Sequence, residues 1–114
     1  MKGLIAGLLL AAGMAQADEG AIRGAIGGQI EAFKADDFDT AFTFAAPNIR
    51  GMFGNADNFG LMVRQGYPMV WQPGTVEFLG SEDNGGVWTQ EILITDGFGR
   101  LHRLEYTMVD TPGA

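Results

Sequence analysis

The 114-residue chain has no cysteine and a single histidine, His102. Lack of cysteine excludes disulfides, thiolate catalysis, zinc–thiolate sites and a lipid-modified cysteine, so a small fold here must hold by packing alone. One imidazole is too few for a structural zinc or haem site. Positive charge is also scarce: seven Lys and Arg residues stand against fourteen Asp and Glu, for a formal charge of −7. The basic residues are scattered, with no basic–aromatic stripe, which speaks against nucleic acid and anionic lipid as partners. No apolar run is long enough to cross a bilayer as a helix. The glycines form no phosphate-binding loop, since no Gly-Lys-Ser/Thr and no strand-led Gly-x-Gly-x-x-Gly occurs. Asp36-Asp37-Phe38-Asp39 begins like a calcium loop but lacks the later glycine and glutamate; helix capping accounts for it better. No metal and no cofactor is implied.

The most informative feature present is the first seventeen residues. Met1-Lys2 supplies a positive start, Gly3 to Gly13 is apolar around Leu4-Ile5 and Leu8-Leu9-Leu10, and Ala15-Gln16-Ala17 matches the small-x-small pattern cut by signal peptidase. The pattern predicts a leader over 1–17, cleavage after Ala17, and a periplasmic or secreted protein beginning Asp18-Glu19. A buried N-terminal helix is the weaker alternative, because the segment holds three glycines and has no polar face. Residues 18–114 then form one small domain. Lys2 leaves with the leader, so the mature chain is more acidic still.

Along that domain the apolar period changes from helical to alternating. Ile22, Ile26, Ile30 and Phe33 share one helical face, although Gly24, Gly27 and Gly28 each weaken the helix by about 1 kcal/mol relative to Ala. Asp37 caps a second run with Phe38, Ala41, Phe42 and Ala45 inward. Pro47 ends it and opens a third, Asn48 to Phe53, carrying Ile49, Met52 and Phe53. Asp57 reads as the cap of a fourth, with Phe59, Met62 and Val63 buried and Gly66 as its left-handed terminator, and Tyr67-Pro68 cannot continue it.

Alternation is expected from Val70 onward. Val76 and Phe78 share a face, as do Trp88, Gln90, Ile92 and Ile94, and again His102, Leu104, Tyr106 and Met108. Pairing like faces requires odd-numbered loops. A three-residue Gly97-Phe98-Gly99 loop sets Asp96 opposite Arg100, Ile94 opposite His102, Ile92 opposite Leu104 and Gln90 opposite Tyr106. The same reasoning selects Asp83-Asn84-Gly85 for the earlier hairpin, with Phe78 opposite Gln90, over a two-residue Asn84-Gly85 turn. Asp110-Thr111-Pro112-Gly113 reads as a further turn with only Ala114 after it. Either a final strand is missing or the tail is frayed.

A dispersed string of residues carries a family resemblance. Gln29-Ile30-Glu31-Ala32-Phe33, Asp36-Asp37, Ala41 to Pro47, Met52-Phe53-Gly54, Phe59 and Met62-Val63 are followed by Gly66-Tyr67, Val76-Glu77-Phe78, Gln90, Asp96-Gly97 and Tyr106 with Met108. Together they resemble the bacterial domain of unknown function 4864, in the nuclear-transport-factor-two-like, or cystatin-like, superfamily. The resemblance implies an α+β cone: N-terminal helices packed on a curved antiparallel sheet that ends as a β-meander. The resemblance also implies a last tryptophan-bearing strand after the terminal turn, so the chain is expected to be truncated before it.

Such a cone encloses a space between sheet and helices. Trp88, Gln90, His102 and Tyr106 would face it from the sheet, with Phe42, Phe53, Met62 and Trp71 from the helical half. These eight side chains either line a small-molecule pocket or fill a core in which Gln90 and Tyr106 satisfy each other. Two functional classes stay open. One is a non-enzymatic module binding a small apolar ligand or a protein partner at the cone mouth or sheet edge, including a homodimer through that edge. The other is an isomerase- or dehydratase-like acid–base enzyme using His102 and Tyr106, accompanied by Asp37 or Asp39. A third possibility is that the reading frame is a defective copy.

Overall fold

The structure is a computed structural model that describes residues 7–12 and 18–110. Helices come first and an antiparallel sheet second: α1 (Glu19–Lys34), α2 (Phe38–Thr43), α3 (Pro47–Phe53), α4 (Ala56–Gly66) and α5 (Pro68–Trp71), then β2 (Thr75–Asp83), β3 (Val87–Thr95) and β4 (Leu101–Asp110). An unexpected strand, β1 (Gly7–Ala12), precedes them and pairs in parallel with β4, giving the order β1-β4-β3-β2. The remainder of the expected leader and the Thr111-Pro112-Gly113 part of the terminal turn lie outside the described residues.

Helix α1 begins at Asp18, whose carboxylate accepts from the Ala21 amide at 2.7 Å. Its inner face is the expected one, with Ile22, Ile26, Ile30 and Phe33 all buried. Each such side chain contributes roughly 1.5–3 kcal/mol of burial, which offsets the three weak glycine positions. The helix ends in a Schellman turn, the Asp37 amide bonding Ala32 O at 2.8 Å and the Asp36 amide bonding Phe33 O at 3.0 Å. Gln29, also buried, donates to Ala41 O at 3.1 Å and ties α1 to α2. Asp37 caps α2 as expected, accepting from the Thr40 amide at 3.1 Å, and hydrogen bonds from the Thr40 side chain and then that amide hold its carboxyl below the usual range.

Several local expectations are corrected. The cap of α4 is Asn55, two residues before Asp57, because its side chain reaches the Asn58 amide at 2.8 Å. Gly66 stays helical, and the helix stops at Tyr67, where the Pro68 ring follows. Alternation starts at Thr75 rather than Val70, since Pro68 opens the short helix α5, which buries Met69 and Val70. Met52 points outward and is 70% exposed.

The β3–β4 hairpin has the register derived from its turn: Ile94 faces His102, Ile92 faces Leu104 and Gln90 faces Tyr106. Gly99 takes the left-handed position with φ 81°. The β2–β3 register differs. Phe78 faces Ile92, not Gln90, and the turn is the two-residue Gly85-Gly86, both with positive φ, closed by the Asn84 amide on Val87 O at 2.9 Å. Parity misled here because β2 carries a bulge between Phe78 and Ser81. The extra residue lets an even-numbered turn coexist with matched faces. Gln90 stabilises that bulge: its amide nitrogen donates to Leu79 O at 3.1 Å, Gly80 O at 3.3 Å and Glu91 O at 2.8 Å.

Candidate functional site

The space under the sheet is packed. Ile92, Ile94, Leu104, Tyr106 and Met108 from the strands meet Ile22, Ile26 and Phe33 from α1 in one cluster with Phe59 and Val63 of α4. Phe33, Phe42 and Phe53 surround Phe59 with ring centroids 5.8, 5.3 and 5.9 Å away. Tyr106 and Gln90 are fully enclosed in this core. They do not satisfy each other: the Tyr106 hydroxyl and Gln90 Oε1 both lack a hydrogen-bond partner. Burial, with Tyr67 nearby, pushes the Tyr106 phenol far above its usual range.

An open cleft lies instead at the rim, between α5 and the β3–β4 turn. It has a volume of about 410 Å³ and is lined by Pro68, Met69, Trp71, Gln72, Asp96, Gly97, Phe98, Arg100 and His102. Of the eight side chains expected to share a pocket, Trp71 and His102 line it. Phe42, Phe53 and Trp88 are half-buried against the core. Met62 is half-buried too, beside a shallow hollow on α4 bordered by Leu61 and Gln65.

Local structure positions each wall. Pro68 begins α5 and turns Met69 inward while Trp71 faces the cleft. The Trp71 indole is held by the Asp36 carboxylate at 2.8 Å. On the opposite side the hairpin turn carries Phe98, 88% exposed, with the Arg100 guanidinium 5.8 Å from its ring centroid.

Asp96 organises the polar end. Its Oδ1 accepts from the Phe98 and Arg100 amides, both at 2.9 Å, and its Oδ2 contacts His102 Nε2 at 2.8 Å. The His102 hydrogen bond, followed by that of the Arg100 amide, holds the Asp96 carboxyl down to about 2 against the opposing effect of burial. An ionised carboxylate only accepts, so Nε2 carries the proton and Nδ1 is the ring nitrogen left for other work. Neither Asp37 nor Asp39 plays this part; Asp37 is spent on its helix cap. The sequence did hold a signal for Asp96. The hairpin register places it diagonally across from His102 on the same face, within reach of a long or aromatic side chain. Phe98, an aromatic residue at a turn tip between two glycines, was the other visible clue.

Chemically, the cleft offers apolar walls, one oriented imidazole and one guanidinium. The described lining includes no hydroxyl, thiol or amine side chain. Among the described residues no group of His, Asp and Glu is arranged to hold a metal ion, and no helix is long and apolar enough to cross a membrane.

Residues 15–114 match the model of a family described as Domain of unknown function (DUF4864). Among solved structures, the chain is similar to an NTF-2 like protein of unknown function from Burkholderia xenovorans LB400. The two share 20% sequence identity, with 83% of this chain and 90% of that chain covered and a TM-score of 0.40. No curated protein matches the sequence.

Proposed function

The chain belongs to the family described as Domain of unknown function (DUF4864), and within that family we propose that it is a non-enzymatic binding module whose rim cleft takes a small, largely apolar ligand. The observation that carries this reading is the composition of the 410 Å³ cleft: Pro68, Met69, Trp71 and Phe98 for bulk, with the His102–Asp96 pair and Arg100 for orientation. A concave apolar site with a few convergent polar groups is the usual form of a small-molecule site. Trp71 reports on it directly. In a Trp88→Phe background its fluorescence responds to a bound apolar ligand, and Phe98→Ala weakens that response. A set of apolar compounds that leaves Trp71 emission and the melting temperature unchanged would refute the reading.

The His102–Asp96 contact supports a second reading, acid–base catalysis, since a carboxylate that fixes one imidazole nitrogen leaves the other free to exchange a proton. Ligand binding that survives His102→Ala with no turnover in the wild type favours the binding module. Turnover that vanishes with His102→Ala favours the enzyme.

We also propose that residues 1–17 are a leader and that the mature protein is exported. Asp18, the first residue such a cut would leave, is the N-cap of α1, so the helix would begin with its capping bond intact. Removing Gly7–Ala12 uncovers the edge of β4, and an unpaired edge favours association through added strands. Mass spectrometry of protein recovered outside the cytoplasm tests the cut. Comparing the sedimentation of the 18–114 chain with that of the full chain tests the edge.

A further inference from the structure

Resting on the reading of the rim cleft as a binding site, we infer that its ligand is a carboxylate with an apolar body, and that Arg100 receives the carboxylate. Three polar groups of the lining bear on the charge of the ligand. The Asp96 carboxylate is spent internally, accepting from two turn amides and from His102 within 2.9 Å. His102 Nε2 is spent on Asp96 in return. Arg100 is left. Among the described residues it forms no ion pair, unlike Lys34 with Glu31 at 3.3 Å and Arg103 with Glu91 at 3.4 Å; Arg23, Arg50 and Arg64 form none either, but they do not line this cleft.

The guanidinium also has an apolar surface to lie on. Its own backbone amide is fixed by Asp96, and its side chain lies over the Phe98 ring, which forms a wall of the same cleft. Stacking on an aromatic face leaves the edge of a guanidinium free for two-point recognition of a carboxylate. Trp71 and Met69 across the cleft offer apolar surface to the rest of the molecule. The overall charge of −7 repels anions at long range, but that field is screened beyond about 8 Å at physiological salt.

Calorimetric titration of the wild-type chain with octanoate and with its neutral isostere octanamide tests the inference. Octanoate is expected to bind about tenfold tighter, consistent with one partly exposed charge-assisted contact. Arg100→Gln is expected to remove that preference at an unchanged melting temperature, and Arg100→Lys to restore part of it. Equal affinities in the wild type, or a preference that survives Arg100→Gln, would overturn the anion assignment. If both ligands were still lost in Trp71→Ala, the cleft itself would stand as a binding site. Failure of both ligands to bind would overturn the inference together with the reading beneath it.

Discussion

The Trp71 indole donates its N–H to the Asp36 carboxylate at 2.8 Å, and Asp36 itself sits in the left-handed region with φ 57°. The turn that ends α1 thus reaches across to fix a wall of the cleft. Glycine would fit that backbone position more comfortably. An aspartate there tolerates the strain and supplies the anchor that glycine lacks.

Asp36→Ala therefore loses the anchor and keeps the strain, and is expected to destabilise the protein by about 1–2 kcal/mol in urea titrations. Asp36→Gly relieves the strain and loses the anchor, so its stability stays near wild type while Trp71 fluorescence anisotropy falls. Asp36→Asn retains both the acceptor and the backbone tolerance and should resemble wild type in each measurement.

Asp96 gives the fold an acid-sensitive component. Its carboxyl is lowered in the folded protein to about 2 from an ordinary 3.8. The associated stability is fully present above the unfolded value and is lost as pH falls through the folded one. Asp96→Asn should accordingly be less stable than wild type near neutrality. The gap between their urea midpoints should close as pH falls from about 4 to about 2. A gap that is constant across that window would contradict the assignment.

Gln90 and Tyr106, neighbours across the strand pair, should respond in opposite ways to losing polar atoms. Gln90→Leu strips the bulge carbonyls of Leu79 and Gly80 of their donor, with an expected loss of about 1–3 kcal/mol in chemical denaturation. Tyr106→Phe removes a buried hydroxyl that has no partner. Its stability should equal or exceed that of wild type by up to about 1 kcal/mol.

Helical glycines that look alike in the sequence should also diverge. A Cβ at Gly24 or Gly27 meets nothing within 4 Å, so Gly24→Ala and Gly27→Ala should each stabilise by about 0.5–1 kcal/mol. At Gly60 a Cβ would lie 2.7 Å from the Phe38 ring, and Gly60→Ala should destabilise by about 1–3 kcal/mol. At Gly28 it would meet the tip of the half-buried Phe44 ring at 2.9 Å, a smaller loss because that ring end can shift. Thermal melts of the four variants would separate these outcomes.

Much of the architecture was legible before any coordinates. The inward faces of α1 and of β3 and β4, and the β3–β4 register down to Ile94 opposite His102, follow from apolar period and turn residues. Those signals are local, and burial of one face enforces them along the whole element. The β2–β3 register escaped the same reasoning because a bulge leaves no compositional mark beyond a glycine, yet it inverts the parity on which the argument depends.

The site divided along the same line. That His102 is the sole imidazole, that Asp96 lies diagonally beside it, and that an aromatic sits at the turn tip are facts of sequence and register. Whether the inward residues would enclose a cavity or fill a core was beyond pattern, because periodicity reports which face a side chain occupies and not how much volume stands opposite it. Packing of Phe42, Phe53 and Phe59 in one cluster with Tyr106 filled the interior, and Gln90 was buried beside its bulge. The four-residue helix α5, swung against the β3–β4 turn by Pro68 and anchored through Trp71 on Asp36, opened the cleft at the rim. Contacts between residues 35 positions apart exist only once the chain has folded, and they decided where the rim cleft opens.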